Sequence, residues 1–199
     1  MGHLATEFAE ETDYDTKAER VHHAFNQQFW NEESGCLYDL VTPQSPDPAI
    51  RPNQLFALSL PFPLIEGERA RRMVAVADEH LLTPRGLRSL SPQDPAYRSH
   101  YHGDPWSRDG ANHQGIVWDW LIGPFITALC RVHGDEGRQR GRAIIEGFAD
   151  HLQEAGLGSV SEIFDAKPPF APRGCVAQAW SVAELLRAGV EDLLGESSQ

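Results

Sequence analysis

Apolar residues recur at three- and four-residue steps over separate stretches of this chain, and that periodicity narrows the accessible folds more than any other property. From Glu66 to Leu82, Ala70, Val74, Ala77 and Leu81 line one face while Arg71, Arg72, Asp78 and Glu79 take the others. This spacing predicts an amphipathic helix with one buried stripe. The stretch from Arg142 repeats the pattern with Ile144, Ile145, Phe148 and Leu152, and Gly156 stands where a left-handed C-terminal cap is expected. Val176, Ala179, Ala183, Leu186 and Val190 define a third such face. Further helices are expected over about Asp15–Phe29, Asn53–Leu60 and His113–Val132, the last kinked or broken at Gly123-Pro124. Only the neighbourhood of Cys36 to Val41 has strand-like character, so the expectation is an all-α chain of six helical segments.

With 199 residues, 41% of them hydrophobic, and no internal repeat or Gly/Ser-rich linker, the chain reads as one domain over 1–199. Seventeen basic against 29 acidic residues give a net charge of −12, which disfavours nucleic acid and anionic lipid as partners. No stretch approaches the roughly 18 to 20 apolar residues of a membrane span. The N-terminus MGHLATEFAEETDYD is acidic where a signal peptide is basic, so a cytoplasmic location is expected. Cys36, Cys130 and Cys175 are widely spaced and form no CxxC pair, and the nine histidines include no HExxH helix. Neither a disulfide framework nor a metal or other cofactor is expected.

Two segments, Leu82 to Asn112 and Gly156 to Gly174, mix Pro, Gly, Asp and aromatics without a sustained period. Connections longer than about 12 to 15 residues tend to be functional. The first continues into a run that together concentrates Arg88, Tyr101, Trp106, Arg108, Asp109, Asn112, His113 and Gln114, with Trp118 just beyond. Flat rings beside bidentate polar groups suit a sugar, which offers an apolar ring face and a rim of hydroxyls. The same residues equally suit loop-anchoring ion pairs. The second segment carries Glu162 and Asp165 beside Phe164 and Arg173. A partly enclosed carboxylate is material for acid or base catalysis, but Glu162 also suits a helix-capping or salt-bridging role. An inverting glycosidase needs two carboxyls, and among Asp104, Asp109, Asp119 and Asp165 spacing selects no partner. Near Pro52, Arg51, Asn53 and Gln54 either face a ligand or satisfy backbone groups at a helix start.

The phrases IRPNQLFALSLP (Ile50 to Pro61), LLTPRGLRSLSP (Leu81 to Pro92), YHGDPWSRDGANHQGIVWDWLIGPF (Tyr101 to Phe125), SEIFDA (Ser161 to Ala166) and PRGCVAQAWSVAELLRA (Pro172 to Ala188) closely resemble the C-terminal amylo-α-1,6-glucosidase domain of glycogen debranching enzymes. The resemblance implies an (α/α)6 toroid similar to glucoamylase, of which six helices would form the C-terminal half. It implies hydrolysis of the α-1,6-linked glucose at trimmed branch points of glycogen or a branched α-glucan, with inversion and without a metal or other cofactor. Glu162 falls where the family places its catalytic base. Arg51, Asn53, Gln54, Arg88, Arg108, Asp109, His113, Gln114 and Trp118 fall on motif positions that line or brace the glucose pocket, Arg108 and Asp109 foremost as a fork of donors and acceptors. Asn112 stands where the family commonly has Tyr, Ile116 where it has Thr, and Ala166 where it has Gly. The family's Trp-Met-Asp motif, whose Asp serves as general acid, does not occur in this sequence. The acid, with the other half of the toroid, is therefore expected on an upstream segment in cis or in trans. The alternative is a non-catalytic glucan-binding remnant or fragment.

Overall fold

A computed structural model describes residues 13–194 of the chain. The acidic N-terminal stretch up to residue 12 lies outside them. Helices carry about half of the described residues and build the core, and a small antiparallel sheet joins the segments between them.

The helices are α1 (Tyr14–Gln28), α2 (Phe56–Ser59, preceded by a 3-10 turn at Pro52–Leu55), α3 (Gly67–Leu81), α4 (Pro105–Asn112), α5 (Ile122–His133), α6 (Asp135–Glu146), α7 (His151–Glu154) and α8 (Ala179–Arg187), which runs into a π-helical segment over Ala188–Leu194. In α3 the expected stripe is buried, with Met73 added to Ala70, Val74, Ala77 and Leu81. At the centre lies α5, in which every residue from Ile122 to Leu129 is buried. A helix apolar on all sides must be enclosed, and α2, α3, α6, α8 and the π segment pack around it.

Gly123-Pro124, expected to kink or break a helix starting at His113, instead falls in the first turn of α5. The first four N–H groups of a helix have no intrahelical partner, so Pro sacrifices nothing there. Residues 113–121 form a turn and a strand. Helix α6 begins at Asp135 rather than near Arg142, because the polar run DEGRQRGR carries no apolar stripe. Its contact with α5 is close at two glycines: a Cβ on Gly137 would lie 2.3 Å from the Leu129 carbonyl oxygen, and one on Gly141 would lie 3.0 Å from Ile126 Cγ2 and 2.8 Å from Leu193 Cδ2 of the π segment. Gly156 has a left-handed φ of 74° but lies past the end of α7, with Ala155 extended between them.

The face expected to be buried near the C-terminus is turned outward. Val176, Ala179, Ala183, Leu186 and Val190 are exposed, while Ser181, Ala188 and Leu193 are buried. Polar tethers decide this orientation, since both faces carry apolar residues. Ser181 bonds to Asp119 on the inner side, and Arg187 is held by Glu184, Asp192 and the Thr127 hydroxyl.

The sheet is the departure from an all-helical reading. Two two-stranded pairs, β1 (Trp30–Asn31) with β2 (Cys36–Leu37) and β3 (Leu40–Val41) with β4 (Pro46–Asp47), cover the region read as strand-like. A five-stranded antiparallel sheet in the order β5 (Leu82–Thr83), β6 (Gly86–Arg88), β7 (Val117–Trp118), β8 (Ile163–Phe164) and β9 (Pro172–Arg173) threads the two segments read as loops. One register row is Leu87, Trp118, Ile163 and Arg173. Strands of two or three residues are too short to show a period of two. Among the described residues no helix is long and apolar enough to cross a membrane.

Replacing Gly137 by Ala is expected to push α5 and α6 apart and to cost about 1–3 kcal/mol of unfolding free energy in urea titrations, the usual range for an overpacked core. An unchanged midpoint would mean that the glycine does not set the separation of these helices.

Candidate active site

The sheet brings tryptophans together on one side. Trp118 ends β7, and Trp120 lies two residues on in the turn before α5, with Asp119 between them. Trp180, at the start of α8, packs against both indoles, with centroids 6.0 Å from each and planes at 67° to Trp118 and 30° to Trp120. These three rings form one side of a cleft of about 280 Å³ whose other side carries Arg51, Asn53, Ser89 and His113.

The polar side is built around Arg51. Its guanidinium donates to the Ser89 carbonyl at 3.1 Å, to the His113 carbonyl and to Gln114 Oε1 at 3.0 Å, and it pairs with Asp39 at 3.3 Å. Asn53 donates to the same Asp39 at 3.0 Å. Gln54 accepts from the Leu37 N–H at 3.4 Å and donates to the Arg51 carbonyl at 3.0 Å. Of the residues expected to bind substrate, Arg51, Asn53, His113 and Trp118 line the cleft, and Gln54 and Gln114 brace it. Arg88, Arg108 and Asp109 stand outside its lining. Arg88 donates to the Leu82 and Ala166 carbonyls at 3.2 and 3.5 Å, with its Nε buried and unpartnered. Arg108 lies 6.0 Å over the Tyr101 ring, and Asp109 is exposed. Both lie on α4, at adjacent positions. Trp120, Trp180 and Ser89 were not among the expected residues. The Trp-Asp-Trp alternation at 118–120 is the sequence signal for the first of them.

Glu162 lies just before β8 and is half-buried, outside the lining of that cleft. Its Oε2 accepts the Cys175 N–H at 2.9 Å, and its own N–H donates to the Cys175 carbonyl at 2.9 Å. The chain between passes beneath the carboxylate at Gly174, where φ is 67° and an added Cβ would lie 2.5 Å from Oε2. Only glycine meets both conditions. The hydrogen bond to Glu162 and its negative charge push the Cys175 thiol pKa up.

Asp119 follows β7 and Glu162 precedes the neighbouring β8, close enough for the charge of Glu162 to act on Asp119. Asp119 is fully buried. Its Oδ1 accepts the Ser181 hydroxyl at 2.6 Å, and its Oδ2 has no partner. Burial pushes its pKa up to about 7, helped by the charge of Glu162 and opposed by the bonds from Ser181 and backbone N–H groups.

Asp165 and Asp104 have other tasks. Asp165 Oδ2 takes Arg173 Nη2 at 2.8 Å and Nε at 3.1 Å, and Oδ1 takes the Tyr101 N–H at 2.8 Å, which ties the two long segments together. Burial pushes the Asp165 pKa up, but the Arg173 and Tyr101 bonds outweigh it and hold the carboxyl below its ordinary value. Asp104 caps α4 by accepting the Ser107 N–H at 2.8 Å, which lowers its pKa. Among the described residues no group of three His, Cys, Asp or Glu is arranged to hold a metal.

The family model described as "Amylo-alpha-1,6-glucosidase" matches residues 2–187. A glycogen debranching enzyme of Saccharomyces cerevisiae is 36% identical to the chain over 107 residues, which is 50% of this chain and 7% of that protein. The chain thus corresponds to a small fraction of that relative's length.

The buried Asp119 carboxyl generates a pH prediction. Its folded pKa of about 7 lies above the unfolded value of about 3.9, so its contribution is fully present below about pH 4 and is lost as pH rises through 7. The thermal midpoint of the wild type is expected to fall as pH rises from about 4 to about 7, and Asp119→Asn, which keeps the shape but cannot ionise, to lose most of that slope. Parallel profiles for the two proteins would assign the dependence to another group.

Proposed function

The chain belongs to the amylo-α-1,6-glucosidase family, and from that premise we propose that residues 1–199 are the C-terminal, base-bearing part of a domain that hydrolyses α-1,6-linked glucose at trimmed branch points of glycogen or a similar α-glucan. The observation that carries this reading is the setting of Glu162. Its carboxylate is fixed by the Cys175 N–H and by the close passage of Gly174, one strand away from the tryptophan-lined cleft.

In this mechanism a glucose ring lies against the indoles while its hydroxyls meet Asn53, Ser89 and His113. Arg51, committed to Asp39, Ser89, His113 and Gln114, keeps that polar wall in shape. Glu162, ionised, takes a proton from the water that attacks the anomeric carbon on the face opposite the departing sugar. Inversion requires the acid about 6.5–9.5 Å from the base. Asp165 and Asp104 are spent on structural bonds, and Asp119 is closed to solvent. The family resemblance, whose general acid belongs to a Trp-Met-Asp motif that this sequence lacks, assigns the proton donor to an upstream segment, in cis or in trans. That segment also completes the (α/α)6 toroid, and the outward stripe of Val176, Ala179, Ala183, Leu186 and Val190 is the surface it covers. A patch of this kind otherwise faces water at a cost in solubility. We place the reaction in the cytoplasm, on a neutral polysaccharide that meets no repulsion from a chain of charge −12.

The test is glucose release from a phosphorylase-trimmed branched dextrin. The 199-residue chain alone is expected to release none above background, and the chain supplied with its upstream segment to release glucose. Glu162→Gln in the completed protein is expected to lower kcat by about 10²- to 10⁴-fold, the usual share of a general base, with KM little changed. Full activity in Glu162→Gln would remove Glu162 from the mechanism, and preferred cleavage of α-1,4 links would overturn the substrate assignment.

A further inference from the structure

The cleft contains a feature that neither the family match nor the expected site residues account for, namely two aromatic planes meeting at a steep angle. Trp180 stands at 67° to Trp118 with ring centroids 6.0 Å apart, and it is 46% exposed, so part of its indole is open to a ligand. Trp120 lies behind, tilted 30° to Trp180 and backed by Phe56 at 5.9 Å. A single flat platform would accept one sugar ring. A corner presents two faces in different planes, each able to take the apolar side of a ring.

The corner is held from beneath. Asp119 sits between Trp118 and Trp120 in the chain, and Ser181 follows Trp180. The 2.6 Å bond between their buried side chains fixes the start of α8 against β7. Both partners are fully buried, so the bond is shielded from competing water. Trp118 is fixed in turn by its indole N–H, which donates to the Asn112 carbonyl at 2.9 Å.

An α-1,6 link joins its rings through an extra methylene and so has three rotatable bonds rather than two. Its second ring can turn steeply away from the first, which a direct α-1,4 link restricts. We propose that Trp118 and Trp180 form a two-plane corner that selects α-1,6- over α-1,4-linked glucose pairs, and that the Asp119–Ser181 bond is its positioning element. This rests on the cleft being the glucan site, as read above, and assigns linkage choice within it to named residues.

Ligand-observed NMR titration of the full chain with isomaltose, maltose and glucose tests the assignment and reads millimolar binding without catalysis. Isomaltose is expected to bind about three- to tenfold more tightly than maltose, the size of one aromatic stacking contact. Trp180→Ala is expected to bring that ratio to about one, and Trp180→Phe, which keeps a flat face, to restore most of it. Ser181→Ala, which removes no indole but frees Trp180 from its tether, is expected to reduce the ratio without abolishing glucose binding, and circular dichroism checks that each variant is folded. Equal binding of the two disaccharides by the wild type, or a ratio unchanged in Trp180→Ala, would overturn the corner while leaving the glucosidase reading intact. No response to any of the three sugars would overturn both.

Discussion

The bond from Ser181 to the buried carboxyl of Asp119 joins two parts of this molecule 62 residues apart in sequence, the end of β7 and the C-terminal helix. It sets which face of α8 turns inward, and with it the place of Trp180 against Trp118 and Trp120. A buried acceptor that loses its donor costs about 1–3 kcal/mol, so the arrangement strongly favours the one rotation of α8 that keeps the pair intact. The second carboxyl oxygen of Asp119 remains unpartnered, and the charge of Glu162 acts on this carboxyl. One residue thus connects the helix orientation, the aromatic corner and the candidate base.

Beneath that junction the core depends on α5. Its first eight residues are enclosed on every side, and α6 approaches it closely because Gly137 and Gly141 leave room for the Leu129 carbonyl and the Ile126 side chain. The helices supply a rigid base, and the short strands carry the chemistry. Asp165, bound by Arg173 and by the Tyr101 N–H, fastens the two long segments to each other, so residues remote in sequence reach the same sheet without long strands.

The surface has one pronounced asymmetry. A stripe of Val176, Ala179, Ala183, Leu186 and Val190 faces outward, although its helical spacing is as regular as that of the buried stripe in α3. The difference is that α3 finds α5 and the sheet to pack against, while the outer side of α8 meets no element among the described residues. A surface of this kind agrees with a chain that corresponds to 7% of the length of a relative sharing its motifs.

Helix periodicity was legible wherever apolar residues were dense: Ala70, Val74, Ala77 and Leu81 identify α3 and its buried face directly. It was silent over the first two turns of α6, where glycines make the close contacts and only Ile144 and Ile145 near its end mark the helix, and in β5 to β9, whose strands are too short to express an alternation. The motifs around Glu162 and Trp118 were likewise readable as motifs, and the fold brings Arg51 and Asn53 to one cleft. What sequence left open was the work each polar group does. Arg51, Gln54, Asp104 and Asp165 could each have faced a ligand, and only the folded chain, by presenting Asp39, the Leu37 N–H, the Ser107 N–H and Arg173 within hydrogen-bond reach, committed them to structure. The inward face of α8 was decided at the same level. Local periodicity records that a face is apolar, but which face is buried depends on a partner 62 residues away, Asp119, whose position no local pattern encodes.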